Sequence, residues 1–218
     1  MMEEHCREEI EVPTTAPPTV RPAVQATAAA APTGTCVGNG AERENHVEIS
    51  PNVKVPEWGD WGEAQYCAAG AFARSVRVKI QASQGGGNND DTGVNGIEFM
   101  CSDGCVITST MGSQGEFADN KTCPGTIENG FVDKIDFKSS ERHGDGLGEN
   151  DNTGVDGLRW CCTVGWGWTQ TLAGYTGSWG SPVSCPSGQA IYGFQTKTQD
   201  DGRDAKGMTA AKFFCAPV

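Results

Sequence analysis

Two adjacent carboxylates, Asp90 and Asp91, precede Thr92 and Gly93 in the stretch DDTGVNGIEFMC at 90–101. The stretch returns as DNTGVDGLRWCC at 151–162 and as DAKGMTAAKFFC at 204–215. Setting Cys101, Cys162 and Cys215 as equivalent ends needs no gap and places Asp90, Asp151 and Asp204 at one position. Gathered around a common cleft, paired carboxylates about 5 to 10 Å apart could protonate and attack a glycosidic bond. They could also hold sugar hydroxyls or a calcium ion, which demands less of their geometry, so binding ranks above catalysis for Asp90, Asp91, Asp151 and Asp204. A structural reading stands beside both: aspartates before Thr-Gly satisfy turn donors, and the glycine supplies a positive φ at the entry to a strand.

Tryptophan offers a second choice. Trp58, Trp61 and Trp179 each stand beside glycine, which suits packing at a strand edge. An exposed indole would instead stack on a pyranose ring, so the three are carbohydrate-binding candidates. Trp166 and Trp168, one residue apart in GWGW, point to the same face of a strand. Other chemistry is thin. His5, His46 and His143 fall in no metal or triad spacing. CSDGC at 101–105 has no second half, and no GxGxxG opens a helix, so neither a metal nor a cofactor is expected.

The elements that must position these residues come in threes. Blocks beginning WGEAQYCAAG at Trp61, QGEFADNKTCPG at Gln114 and WGSPVSCPSG at Trp179 precede the three stretches, and the middle one carries Gln114 where the others carry Trp. A period of about 60 residues marks a repeat architecture in which no unit buries its apolar face alone. With 30 glycines and 20% charged residues, and no 3.6-residue periodicity, the units read as short strands and turns. SVRVKI, KIDFK and IYGFQTKT alternate as half-buried strands do. The expectation is an all-β, disulfide-bonded β-prism of three sheets with pseudo-threefold internal repeats, at about 55–105, 106–166 and 167–218, within one domain spanning 47–218.

Ten cysteines in 218 residues point to an oxidising compartment. The repeat pairs Cys67 with Cys101, Cys123 with Cys162 and Cys185 with Cys215, each bridge worth about 4 kcal/mol in the chain-entropy picture. Cys6, Cys36, Cys105 and Cys161 have no repeat equivalents. Residues 1–46, rich in Pro, Ala and Thr, read as a disordered arm or linker too weakly apolar to span a membrane. No signal peptide is visible in the acidic opening MMEEHCREEIE, but the cysteines argue for secretion. Asn120-Lys121-Thr122 is an N-glycosylation sequon.

WGDWG at 58–62, the threefold blocks, DDTGVNGIEFMCSDG at 90–104 and SWGSPVSCPSG with YGFQTK in the last unit resemble the type I vitelline membrane outer layer proteins. The resemblance covers about residues 55–218 and implies a β-prism and a secreted extracellular protein of egg coats or related matrices. A lysozyme-like chito-oligosaccharide transferase activity is attributed to that family. The chain departs from the full DDT pattern at Asn152 in the second unit and at Ala205 and Lys206 in the third. A net charge of −12 argues against nucleic acid and against anionic membrane surfaces and fits basic protein partners or calcium; glycans or extracellular matrix proteins are the expected partners. Two functions are consistent with these residues: a structural matrix protein with a carbohydrate-binding surface, or a transferase or glycosidase acting on N-acetylglucosamine oligomers. The first demands less of the residues.

Overall fold

The computed structural model describes residues 40–54, 57–82, 92–140, 154–165, 167–172, 177–200 and 205–218. Three short strands come first: β1 (Val47–Ile49), β2 (Asp60–Trp61) and β3 (Gln65–Tyr66). A five-stranded sheet then forms from consecutive chain: β4 (Ala73–Gln81), β5 (Gly93–Cys101), β6 (Val106–Thr108), β7 (Glu116–Phe117) and β8 (Lys121–Thr122). Its order is β6-β5-β4-β7, with β8 also paired to β4.

The second sheet repeats the plan with β9 (Val132–Ser139), β10 (Val155–Cys162), β11 (Thr169–Leu172), β12 (Ser178–Trp179) and β13 (Val183–Ser184). The third has only two strands of its own, β14 (Gln189–Gln199) and β15 (Gly207–Pro217), and takes β1, β2 and β3 from the other end of the domain. The all-β, three-sheet prism expected from the repeats is therefore present.

Alternation explains which face each sheet buries. On β5, Glu98 and Met100 point outward while Ile97, Phe99 and Cys101 are buried. Arg159 on β10 and Lys212 on β15 are the corresponding outward residues, flanked by buried Leu158 and Trp160 and by buried Ala211 and Phe213. The three inward faces meet in one core. Phe99 of the first sheet packs edge-on against Phe194 and Phe213 of the third, at 4.9 and 6.1 Å between centroids, and Phe137 of the second meets Phe213 at 6.1 Å. Each such ring contributes about 1.5–3 kcal/mol by burial, and edge-to-face contact adds to it.

The three expected disulfides form, and each joins two sheets. Cys123 follows β8 and bonds Cys162 on β10; Cys185 follows β13 and bonds Cys215 on β15; Cys67 follows β3 and bonds Cys101 on β5. First to second, second to third, third to first: the bridges close a ring. Cys105 and Cys161 are disulfide-bonded as well.

Two details correct the sequence reading. Residues 40–46 do not belong to a free arm. Arg43 donates to Ala68 O and Ala71 O, its backbone amide donates to the Tyr192 hydroxyl, and its guanidinium covers the Phe72 and Tyr192 rings. One arginine in a polar stretch gains a built site there, which composition alone does not reveal. Second, the middle equivalent of Trp61 and Trp179 is Phe117, not Gln114. β2, β12 and β7 place Trp61 opposite Lys197, Trp179 opposite Lys138 and Phe117 opposite Lys79. Those lysines lie on central strands, and Lys79 ties down the loop after β6 by donating to Gly112 O and Ser113 O.

Candidate functional site

Asp90, Asp91, Asp151 and Asp204 lie outside the described residues, as do His143 and Trp166. The strand entries beyond the aspartates are described, and those of β5, β10 and β15 interlock at one end of the prism. The Gly154 amide donates to Lys206 O, and Gly207, at φ 62°, lies against the carbonyls of Thr92 and Val94 where a Cβ would collide. Pseudo-threefold packing therefore brings the three strand entries together.

Thr92 is structural. Its amide and hydroxyl both donate to Gln81 Oε1, at 3.0 and 2.7 Å, and its hydroxyl accepts from Asn95 Nδ2. Asn95, Asp156 and Thr209 are repeat equivalents, all fully buried, and Asn95 Nδ2 also donates to Gly93 O at its own strand entry. Ser140 Oγ donates to Asp156 Oδ2, and Thr209 Oγ1 donates to Trp58 O. Sequence reasoning passed over this set, although its constant distance from the closing cysteine was available.

The tryptophans do not share a surface. Trp58 packs at the strand-entry end with the buried Lys206 ammonium 4.4 Å from its ring centre. Trp61 lies on the outer face of the third sheet and is 41% exposed, with the Lys212 ammonium 5.2 Å from its ring. Lys212 pairs with Glu48 at 3.2 Å, and Gln195, opposite Lys212, donates to Gly62 O. Trp179 lies on the outer face of the second sheet, half-buried, where the Arg159 guanidinium is held between it and Trp168 at 4.5 and 4.4 Å. Phe117, 37% exposed, stands on the first sheet over Arg77, which pairs with Glu98 at 2.7 Å.

Each outer face thus repeats one device: an aromatic ring on a short strand, a cation beneath it, and an acid fixing that cation. The spacing of six residues before Cys67, Cys123 and Cys185 would have found all three rings. In the second sheet the acid is Asp136, fully buried, accepting from Arg159 Nε and Nη2 at 3.0 and 2.8 Å. Burial pushes its carboxyl above the usual aspartate range, and the Arg159 hydrogen bond and charge offset part of that rise.

Chemically, a half-exposed flat ring bordered by charged hydrogen-bonding groups can stack on the apolar face of a sugar while its neighbours meet the hydroxyls. The third sheet offers the most open ring of the three. Asn120, of the sequon, is exposed in the turn between β7 and β8. Among the described residues no cluster of three or more His, Cys, Asp or Glu could hold a metal, and no helix is long and apolar enough to cross a membrane.

These features define a disulfide-ringed, three-sheet β-prism. The family model described as Vitelline membrane outer layer protein I matches residues 47–218, and the chain belongs to that family. It is 32% identical over 197 residues to the Vitelline membrane outer layer protein 1 homolog of Mus musculus, covering 83% of this chain and 90% of that one. The Homo sapiens homolog is 31% identical over 171 residues, covering 72% and 77%. Among solved structures, the mannose-binding lectin from champedak superposes with a TM-score of 0.51 at 7% identity, over 80% of this chain and 99% of that one. That likeness is one of fold.

Proposed function

We propose that the protein is a secreted structural component of an extracellular matrix of the egg-coat type and that it carries a carbohydrate-binding surface. The observation that carries the binding half is the exposed Trp61 ring on the third sheet, flanked by Lys212, Glu48 and Gln195. Membership of the vitelline membrane outer layer family supports the matrix half, and the disulfide ring fits a durable extracellular module. The champedak lectin, on the same fold, is described as mannose-binding. Asp90, Asp91, Asp151 and Asp204 remain proposed contributors at the strand-entry end, and Asn120 a proposed glycosylation site.

The test is a glycan panel that includes mannosides and chitin oligomers, probed with the oxidised protein, Trp61→Ala, and Asp90→Ala with Asp91→Ala. Loss of at least ten-fold in affinity with Trp61→Ala at unchanged melting temperature supports the surface on the third sheet. Loss only in the aspartate pair moves the site to the strand-entry end. A panel with no binder overturns the carbohydrate half, and turnover of a chitin oligomer would favour the transferase or glycosidase instead.

A further inference from the structure

The three outer faces share one device but leave it open to different degrees. In the second sheet the Arg159 guanidinium lies between the rings of Trp179 and Trp168, and its side chain is 17% exposed. That face has supplied its own second ring. Among the described residues, Arg77 of the first sheet meets one ring, Phe117, and is 38% exposed; Lys212 of the third meets Trp61 and is 34% exposed.

The edge strands explain the difference. Trp168 directly precedes Thr169, the partner of Trp160. At the same step the first sheet has Val106, directly before Ile107, the partner of Phe99, and the third has Glu48, directly before Ile49, the partner of Phe213. Neither is a ring. The second face is thus closed by Trp168, and the first and third stay open.

We infer that Phe117 marks a second glycan-binding face in addition to that of Trp61, so that one molecule holds two neutral glycan chains and cross-links them. The inference rests on the carbohydrate reading of Trp61 and extends it. Arg77 lies over one face of the Phe117 ring at 4.2 Å, and the ring is 37% exposed, close to the 41% of Trp61. A pyranose can stack on the side turned away from the cation. Each cation is matched by an acid, Glu98 at 2.7 Å from Arg77 and Glu48 at 3.2 Å from Lys212. Each rim therefore offers donors and acceptors without net charge, which suits the hydroxyls of a neutral sugar. A sulfated or uronic polymer would instead meet a chain of net charge −12. The two rings lie on outer faces of different sheets, with β6, β5 and β4 between them, so one stretch of glycan cannot lie on both. Two faces on one molecule convert binding into cross-linking, which joins the matrix and carbohydrate halves of the proposed function.

The test uses the full, oxidised chain with soluble mannan and with glycol chitin, read by retention on the immobilised polymer and by light scattering of the mixture. At least one polymer should retain the parent protein and scatter with it, and excess mannopentaose or N-acetylchitohexaose should disperse the aggregates. Phe117→Ala and Trp61→Ala should each still bind but lose the scattering, with affinity for the immobilised polymer lowered at least ten-fold by the lost avidity. The double variant should not bind. Should Phe117→Ala fail to fold, Phe117→Leu keeps apolar cover over Arg77 while removing the flat ring, and the same loss of scattering is expected. Binding by the parent without scattering, or scattering untouched in a folded Phe117 variant, would overturn the inference and leave the Trp61 face standing. Heparin retained as tightly as the neutral polymers would overturn the choice of neutral chains. Retention on neither polymer would overturn the inference together with the carbohydrate reading beneath it.

Discussion

Val47 and Cys215 are direct cross-strand partners, so β1 completes the sheet to which β15 belongs. Trp61 opposite Lys197 and Tyr66 opposite Gly193 repeat the relation on the other edge. The prism is closed by strands from opposite ends of the domain, and the loop-closure entropy of that long-range pairing must be recovered by contacts such as those of Arg43.

Arg43→Ala should therefore destabilise the fold by about 2 kcal/mol, since hydrogen bonds to a charged group are worth about 1.5–3 kcal/mol and cation–π contact about 0.5–1. Urea denaturation reads it as a lowered midpoint with an unchanged slope. A shift worth less than about 0.5 kcal/mol would mean that Arg43 merely rests on a closure made elsewhere.

Removing one bridge as a pair, for example Cys123→Ser with Cys162→Ser, should cost about 2–4 kcal/mol. The three loops span 34, 39 and 30 residues, and the chain-entropy model separates such lengths by only about 0.2 kcal/mol. Comparable losses for all three pairs are expected by thermal denaturation. One pair standing far apart would show that the ring is not shared evenly between its staples.

Much of this architecture was legible because the period of the chain carries it. Three copies of one strand ending in cysteine, from IEFMC to KFFC, were enough to pair the bridges and to count the sheets. What the period hides is which sheet a short strand joins. The blocks beginning at Trp61 and Trp179 open their units in sequence, yet Trp61 pairs with β14 of the third sheet and Trp179 with β9 of the second, a choice made between strands and absent from any local pattern. Phe117 was missed because residue type was matched rather than distance to Cys123. The guanidinium cap of Arg43 depends on carbonyls more than twenty residues away, and no local pattern encodes that. At the proposed site, the ring of Trp61 was named from sequence, while its neighbours Lys212 and Glu48 come from strands at opposite ends of the domain.

Phe99 touches both Phe194 and Phe213 and is fully buried. Phe99→Ala opens a cavity where sheets one and three meet, and a loss of about 3–5 kcal/mol is expected by chemical denaturation. Phe99→Leu, which keeps most of the volume, should lose clearly less. Equal losses would indicate that edge-to-face geometry, rather than filled space, holds the axis together.

Asp136 gives the pH prediction, and its sign runs against the usual carboxylate. Burial raises its folded value above the ordinary one, so between the two the folded chain binds more protons than the unfolded chain. Stability contributed at this residue is thus greatest below the ordinary aspartate range and falls as pH rises to the raised value, beyond which it is level. Asp136→Asn keeps an oxygen for Arg159 and removes the titration, so the difference in unfolding free energy between parent and variant should move against the parent as pH rises through that interval. Urea midpoints collected from about pH 3 to pH 7 would show it. A difference that moves in favour of the parent would mean that the Arg159 charge, not burial, dominates the carboxyl.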